Sequence, residues 1–192
     1  MLVNKITNFL NRKIFYFYNR NKFRYLAPTT VVQNPLRIDG KNNISLAENV
    51  VVQKQTWLAA MPLTSANICH LKIGNGTVIG NFNHIFATGE ITIGQKVLTA
   101  DKVFITDNQH EFENVNLAIL DQPIKQFPPL SIGDGTWIGE NVCILGVSIG
   151  KNCVIGANSV VNKPIPDYCV AVGSPARVIK KYNFETRQWE KV

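Results

Sequence analysis

His110 is the side chain whose setting in the sequence best suits acid–base chemistry. It closes the segment ITDNQH (residues 105–110), and residues 111–129 then run without any regular pattern until the segment SIGDGTWIGEN begins at Ser131. A neutral imidazole has an unperturbed pKa near 6.5, so it can accept a proton from a hydroxyl group at neutral pH. His110 is therefore a candidate general base. The alternative is a solvated loop histidine without a chemical role.

A histidine base needs a hydrogen-bond acceptor on its second ring nitrogen, because that bond fixes the tautomer. Asp107 lies three residues before His110 and is a candidate for this role, as is a carbonyl group of the following loop. The sequence contains no GxSxG segment of the kind that presents a nucleophilic serine. The pattern favours direct attack by a substrate hydroxyl over a covalent enzyme intermediate.

The four cysteines are Cys69, Cys143, Cys153 and Cys169, and no two of them form a CxxC pair. This spacing is not that of a metal site or a disulfide framework. Cys153 occupies a position where a small buried residue is expected, so we interpret the thiols as reduced. Reduced thiols favour a cytoplasmic location.

The net positive charge is concentrated at the start of the chain. Residues 1–38 contain seven basic residues and no acidic residue, whereas residues 39–192 contain thirteen of each. The net charge of +7 therefore describes an N-terminal arm and not a nucleic-acid-binding body. Within that arm, apolar residues recur at helical spacing and predict an amphipathic helix over residues 6–18 (Ile6, Phe9, Leu10, Ile14 and Phe17).

Residues 1–27 are predicted to form this basic helical arm. Its apolar side is expected either to cover the open end of the following domain or to rest on an anionic membrane surface. The second possibility implies peripheral contact, through residues 1–24, with the inner face of the membrane. The short apolar run IFYFY (residues 14–18) is too short for a membrane span.

A repeat of six residues organises the rest of the chain. Aliphatic residues recur at positions 73, 79 and 85, at 132, 138 and 144, and at 149, 155 and 161, with weaker units at 38, 44 and 50. A small residue follows four positions later in many units, and Gly or Asn stands where a turn requires unusual dihedral angles. Six is three times the strand period of two. The spacing therefore predicts short strands joined by tight turns, three to a coil.

The predicted fold is all-β, a hexapeptide parallel β-helix over residues 28–181. The aliphatic residue of each unit points into a triangular prism, and the coils pair strand on strand. The six-residue spacing is interrupted between Ile85 and Ile93, where it is eight residues, and again between Ile105 and Ile132. The second break predicts a protruding loop near residues 111–129 that covers a site. Residues 182–192 are predicted to form a short C-terminal helix.

The segment from Trp137 to Tyr182 resembles the C-terminal half of the hexapeptide-repeat O-acetyltransferases, whose β-helix is left-handed. The group includes the maltose and galactoside acetyltransferases and the enzymes that acetylate capsular and lipopolysaccharide sugars. NFN (residues 81–83) is similar to the galactoside enzymes, and ITDNQH is similar to the polysaccharide branch. The resemblance covers residues 70–181 and ends in the segment SPARVI (residues 174–179).

The resemblance implies a homotrimer that holds acetyl-CoA in the cleft between neighbouring β-helices and transfers its acetyl group to a sugar hydroxyl. By position, His110 matches the catalytic histidine and Asn81 the acceptor-binding asparagine; Asn83, His84 and Asp107 are further candidates around the acceptor. His84 could instead be a plain surface residue, and Asn81 a turn residue. The candidate coenzyme-binding residues are Ala100, Trp137, Gly139, Ala157, Asn162, Lys163 and Arg177. Among these, Lys163 and Arg177 suit phosphate groups.

Two departures from the galactoside enzymes fall in this region. Glu140 stands in place of a small hydroxyl residue, and Asn162 stands in place of threonine. In addition, the turn LGVS (residues 145–148) is one residue shorter than the common LPGVT form. No metal is expected.

Several alternatives use the same fold. A sugar-nucleotide N-acetyltransferase and an antibiotic acetyltransferase differ only in the acceptor. A γ-type carbonic anhydrase would need a zinc site, but His70, His84 and His110 are 14 and 26 residues apart, unlike the His-x4-His pair of that family. A non-catalytic trimeric β-helix that binds a partner through its loop would not need the coenzyme-facing residues.

Overall fold

The chain folds into a left-handed parallel β-helix, as predicted. The structure is a computed structural model and describes residues 12–66 and 68–192. Its strands are numbered β1–β22 in chain order. The coils build three parallel faces, here called A, B and C, and the chain passes from A to B to C; in the last coils face A is continued only by isolated bridges at Ile149 and Ile165.

The strands of the three faces pair in parallel register from coil to coil. Face A comprises β1 (Tyr25–Leu26), β4 (Ile44–Leu46), β7 (His70–Ile73), β10 (Glu90–Ile93) and β15 (Leu130–Ile132). Face B comprises β2 (Val31–Val32), β5 (Val51–Val52), β8 (Val78–Ile79), β11 (Leu98–Thr99), β16 (Trp137–Ile138), β18 (Val154–Ile155) and β20 (Cys169–Val172). Face C comprises β3 (Arg37–Asp39), β6 (Trp57–Ala60), β9 (His84–Ala87), β12 (Phe104–Thr106), β17 (Cys143–Leu145) and β19 (Val160–Val161).

Columns of aliphatic side chains fill the prism. On face C the column consists of Leu58, Ile85, Ile105, Ile144 and Val161, which are stacked in register and fully buried. Burying one such side chain contributes about 1.5–3 kcal/mol, so the repeated column dominates the stability of the domain. This arrangement confirms the predicted interior of the six-residue repeat.

The hydroxyl groups of small corner residues form hydrogen bonds with backbone groups of the next coil. The hydroxyl of Thr77 donates to the carbonyl oxygen of Gly94 at 2.7 Å and accepts from the amide of Val97 at 3.1 Å. Thr136 makes the equivalent bonds to Gly150 and Cys153. Corner asparagines adopt positive φ, as the sequence predicted for turn positions (Asn49, Asn141, Asn152 and Asn158).

All four cysteines are free, and Cys69, Cys153 and Cys169 are buried. The sequence-based interpretation of Cys153 as a core thiol is therefore confirmed.

The break in the repeat is a hairpin with an irregular tip. Strands β13 (Asn108–His110) and β14 (Ile124–Gln126) pair in antiparallel fashion directly after face C, and a 3₁₀ turn lies between them at Ile119–Asp121. A second 3₁₀ turn, Lys41–Asn43, precedes β4. Residues 111–121 are largely exposed, so the predicted protruding loop is present.

The end of the chain differs from the prediction. The expected C-terminal helix over residues 182–192 does not form; instead, β21 (Arg177–Asn183) and β22 (Gln188–Lys191) form an antiparallel hairpin. Strand β21 pairs with β20, because the last coil leaves β20 with unpaired backbone groups that a further strand can satisfy. Tertiary pairing therefore overrides the local helical tendency.

Residues 12–19 are helical, and the part of the predicted N-terminal helix before Arg12 lies outside the described residues. Phe15 and Tyr16 pack against the core beside Phe23, whereas Ile14, Phe17 and Tyr18 are exposed. The helix therefore covers part of the β-helix with one side and leaves an apolar side uncovered. Within the described ranges, no helix is both long enough and apolar enough to cross a membrane.

Candidate functional site

Face C carries a pocket at the foot of the hairpin, in the place where the repeat breaks. Its volume is about 360 Å³, and it is lined by residues of four face C strands together with both sides of the hairpin base (Trp57, His84, Phe86, Phe104, Thr106, Asn108, Gln109, His110, Phe127 and Leu145). Two of the predicted site residues, His84 and His110, thus line one pocket although 26 residues separate them in sequence.

His110 ends β13 and is exposed at the rim of this pocket. Its backbone is opposite Ile124 in the hairpin. Among the described residues no side chain forms a hydrogen bond with its imidazole. The imidazole of His110 is therefore open to solvent at the pocket rim.

Asp107 does not orient His110. Its side chain is buried, and its carboxylate accepts hydrogen bonds from the amide of Thr88 at 2.8 Å and from the amide of Gly89 at 2.8 Å. These two amides belong to the corner where the repeat spacing expands to eight residues. Asp107 therefore anchors the hairpin to the β-helix, and the expectation that it fixes the tautomer of His110 finds no support in the geometry.

Gln126 completes this anchor on the other strand of the hairpin. Its amide nitrogen donates to the carbonyl oxygens of Asp107 and Phe127, and its amide oxygen accepts from the hydroxyls of Thr64 and Thr88, both at 2.7 Å. These bonds hold the two ends of the inserted loop together beneath His110. Sequence reasoning missed Gln126, because a glutamine in a loop carries no pattern that distinguishes it.

The Asp107 carboxylate in this anchor affects the pKa of the nearby Cys69 thiol. Burial, with a contribution from the Asp107 carboxylate, raises the pKa of the Cys69 thiol to about 11. Cys69 is therefore protonated at neutral pH, and a protonated thiol is a poor nucleophile.

His84 is part of a stack of rings on the outside of face C. Its imidazole lies 4.1 Å from the ring of Trp57, centroid to centroid, at an angle of 7°. On its other side Phe104 lies 5.1 Å away, and Phe86 contacts the pair edge-on. The alternative of a plain surface residue for His84 is therefore wrong: the side chain is half-buried in the pocket.

The Nε2 atom of His84 is buried and has no hydrogen-bond partner. Burial lowers the pKa of this imidazole, because the charged form would lose its hydration between aromatic rings. His84 therefore stays neutral to lower pH than an exposed histidine. Leaving a buried nitrogen unpaired costs about 1–3 kcal/mol, a cost that the surrounding stack offsets.

The other acceptor candidates lie at the opposite edge of face C. Asn83 is buried, and its side chain donates to the carbonyl of Ala100 and accepts from the amide of Val103. It is a structural corner residue, so its predicted role in substrate binding is not supported by its position. Asn81 is half-buried, and its side-chain amide donates to the carboxylate of Asp101 and to Gln53.

The candidate coenzyme residues fall into two groups. Ala100, Gly139 and Ala157 stack at the corner between faces B and C, where a Cβ on Gly139 would lie 2.6 Å from the amide nitrogen of Ala157. Trp137 is exposed on face B beside this corner, and Arg177 is exposed on the terminal hairpin. Asn162 and Lys163 are exposed after β19, at the corner between faces C and A.

Asn81 lies at the same edge of face C as the group that contains Ala100. His110 lies at the other edge, with Asn162 and Lys163. The strands β9 and β12 lie between these edges and are four and three residues long. At about 3.3 Å per residue they separate the edges by about 10–13 Å, so one chain does not bring Asn81 and His110 to a common small group. Glu140, one of the departures noted in the sequence, forms an exposed ion pair with Lys102 at 3.2 Å on the Ala100 corner.

No group of three or more His, Cys, Asp or Glu side chains that could hold a metal ion occurs in residues 12–66 and 68–192. His70 lies on face A, where its Nε2 is 2.9 Å from the hydroxyl oxygen of Ser45. It is therefore on a different face from His84.

Comparison with known proteins identifies the family. A sequence profile described as the hexapeptide repeat of succinyl-transferase matches residues 129–163. Galactoside O-acetyltransferase of Escherichia coli is 32% identical over 152 residues, which cover 78% of this chain and 72% of that protein. The chain belongs to the hexapeptide-repeat acetyltransferases.

Two other relatives match over shorter segments. A probable acetyltransferase of Mycobacterium tuberculosis is 44% identical over 57% of this chain, and the putative lipopolysaccharide biosynthesis O-acetyl transferase WbbJ of Escherichia coli is 41% identical over 59% of it. The chain spans 37% and 61% of the length of these two proteins. Among solved structures, AntD, an N-acyltransferase from Bacillus cereus, has a TM-score of 0.71 with 17% identity over 88% of this chain and 89% of AntD, and this likeness concerns the fold.

The neutral state of His84 predicts a specific pH dependence of stability. The unfolded chain binds a proton on this residue as the pH falls below about 6.5, whereas the folded chain does so only at lower pH, so stability is lost as the pH falls through that interval. His84→Phe keeps the ring stack and removes the titration. We expect its melting temperature to fall less between pH 7.5 and pH 5.0 than that of the unmodified protein.

The matched control is Leu145→Ala, which changes the same pocket without removing a ring that contacts His84. It should shift the melting temperature equally at both pH values. An identical pH-dependent loss in His84→Phe and in the unmodified protein would show that His84 titrates alike in the folded and unfolded chains.

Proposed function

We propose that this protein transfers the acetyl group of acetyl-CoA to a hydroxyl group of a saccharide, with His110 as the general base. The observation that carries the proposal is the placement of His110 at the rim of a pocket at the break of the repeat, in a member of the acetyltransferase family. Acetyl-CoA is the donor we infer from the family and from the acyl-CoA bound by AntD.

The proposed reaction is a direct transfer. His110 removes the proton of the acceptor hydroxyl as its oxygen attacks the thioester carbonyl, and the carbon–sulfur bond then breaks. The sulfur of coenzyme A leaves as a thiol by taking the proton from the imidazolium. The acceptor gains an ester, and no covalent intermediate with the protein is needed.

The positions of the candidate residues support a site shared between copies of the chain. Because Asn81 and His110 lie at opposite edges of face C, they could contact one acceptor only from two neighbouring chains. Likewise, the corner that contains Ala100 and the corner that contains Lys163 could contact one coenzyme molecule only from two neighbouring chains. We therefore propose a homotrimer in which the corner bearing Ala100, Gly139 and Ala157 in one copy faces the corner bearing His110, Asn162 and Lys163 in the next.

In this arrangement Lys163 and Arg177 would bind coenzyme phosphates, and Trp137 would cover the adjoining groove. The relation to WbbJ and to galactoside O-acetyltransferase supports a sugar acceptor, and WbbJ supports surface lipopolysaccharide as its source.

His110→Ala tests the proposed base. We expect the variant to bind acetyl-CoA as the unmodified protein does and to transfer the acetyl group about 10²–10⁴-fold more slowly, the usual contribution of a general base. The measurement is the release of coenzyme A thiol in the presence of a saccharide acceptor. His70→Ala, on face A, is the matched control and should retain normal turnover. Normal turnover in His110→Ala would remove His110 from the mechanism.

We also propose that the N-terminal helix brings the protein to an anionic membrane, where a lipid-linked acceptor would be found. Ile14, Phe17 and Tyr18 are exposed apolar residues on residues 12–19, and the exposed cations Arg20, Lys22 and Arg24 follow directly. Apolar side chains can enter the interface while each basic residue near it contributes about 1 kcal/mol.

Replacing Phe17 and Tyr18 together by serine should abolish co-sedimentation with phosphatidylglycerol vesicles and leave turnover on a soluble acceptor unchanged. Leu120→Ser, which removes an apolar side chain that is 86% exposed on the loop, is the control and should sediment like the unmodified protein. If the double variant sediments with the vesicles as before, the helix is not the membrane anchor.

A further inference from the structure

The pocket under the hairpin has a rigid aromatic floor. Along the outside of face C, Arg37, Trp57 and His84 occupy paired positions on adjacent strands, so the indole of Trp57 lies between the guanidinium and the imidazole. The guanidinium carbon of Arg37 is 5.1 Å from the indole centroid, and the imidazole of His84 is 4.1 Å from it. Both faces of the indole are therefore in contact with flat groups.

Asp39 fixes this floor from the side. Its carboxylate accepts a hydrogen bond from Nε1 of Trp57 at 2.8 Å and an ion pair from Nε of Arg37 at 2.9 Å. The polar atom of the indole is thus satisfied outside the pocket. Trp57 consequently presents carbon atoms to whatever enters.

The walls of the pocket are also apolar. Phe86 stands edge-on to both Trp57 and His84 at 5.9 Å, and Phe104 and Leu145 continue the face above them. Phe127 closes the pocket from the hairpin side and lies against Gly146, where a Cβ would come within 2.3 Å of its ring. Gly146 has a φ of 65°, so this close approach depends on the glycine.

Polar groups are confined to one side of the pocket. Asn108, Gln109 and His110 belong to β13 and form the rim. The hydroxyl of Thr106 lies next to them, is buried and pairs with the backbone of Asn108, and the unpartnered nitrogen of His84 is also buried. None of the described residues that line the pocket carries a carboxylate, ammonium or guanidinium group. At about 360 Å³ the volume is at the lower end of the range for small-molecule sites.

We infer that the acceptor unit bound in this pocket is an uncharged 6-deoxyhexose, with its methyl group and C–H face against the outward edges of the stacked rings and its hydroxyls toward Asn108, Gln109 and His110. This inference rests on the proposed function. A hydroxymethyl group among Phe86, Phe104 and Phe127 would lose its hydration without gaining a partner. A carboxylate, or the diphosphate of a sugar nucleotide, would be buried there without a cation.

A matched series of acceptors tests the inference. Methyl α-D-fucopyranoside, methyl α-D-galactopyranoside and methyl α-D-galacturonide differ only at C6, which carries a methyl, a hydroxymethyl or a carboxylate group. The methyl glycosides of L-rhamnose and L-mannose likewise differ only by a methyl or a hydroxymethyl group at C6, in a sugar of another configuration. Using release of coenzyme A thiol, we expect kcat/KM to be about 10–100-fold higher for the 6-deoxy member of the preferred pair, and turnover of the uronide to be lower still.

The variant Phe86→Asn should reduce this ratio, because it gives the hydroxymethyl group a hydrogen-bond partner. Phe184→Asn, an exposed aromatic on the terminal hairpin, is the control and should leave the ratio unchanged. Equal turnover of the 6-deoxy and hydroxymethyl sugars, or a preference for the uronide, would overturn the inference.

Binding supplies a second readout that does not depend on turnover. A protein with Trp137→Phe and Trp189→Phe keeps Trp57 as its only tryptophan, and binding on the floor should change its fluorescence in the same order of preference. Acetyl-CoA binding is measured on the unmodified protein, because Trp137 is itself a candidate coenzyme contact. If fluorescence shows the 6-deoxy preference while acetyl-CoA does not bind to the unmodified protein, the proposed function fails and the pocket assignment stands. If acetyl-CoA binds and both sugars bind equally, only the pocket assignment fails.

Discussion

The in-register stacking of inward-pointing aliphatic residues is the constraint on which the rest of the molecule depends. Leu58, Ile85, Ile105 and Ile144 occupy one column because each coil repeats the path of the coil below it. The same register aligns the outward-pointing residues, so Arg37, Trp57, His84 and Phe104 form a second column in the solvent-facing layer. A flat aromatic surface is therefore a direct consequence of a repetitive interior.

The interruption of the repeat turns that surface into a pocket. A buried carboxylate, Asp107, and an amide side chain, Gln126, hold the hairpin base against the corner at Thr88 and Gly89. The hairpin extends from this anchor over face C, and His110 therefore lies at the rim of the pocket. Buried polar groups of this kind are costly unless fully paired, and here each bond contributes to the placement of one loop.

Much of the architecture follows from the sequence, whereas the chemistry of the pocket does not. Six-residue spacing predicts the coil, and the break at His110 predicts the loop, because both are local patterns. Trp57 could not be predicted as a neighbour of His84, nor Phe127 as a wall of the same pocket, since these positions depend on the number of residues in each irregular coil. Asp107 and Asn83 were expected to contact substrate and are instead occupied with backbone amides and carbonyls, a distinction that residue type alone does not reveal. The C-terminal strands were missed because they form on the free edge of β20.

We propose that the corners of the β-helix hold acetyl-CoA next to His110. Calorimetric titration of the purified 192-residue chain, freed of metal ions, with acetyl-CoA tests this most directly, with galactoside O-acetyltransferase of Escherichia coli as a positive control. We expect saturable binding with about one site per chain. No detectable heat at concentrations that saturate the control would contradict it and would favour a β-helix that binds a partner without acyl transfer.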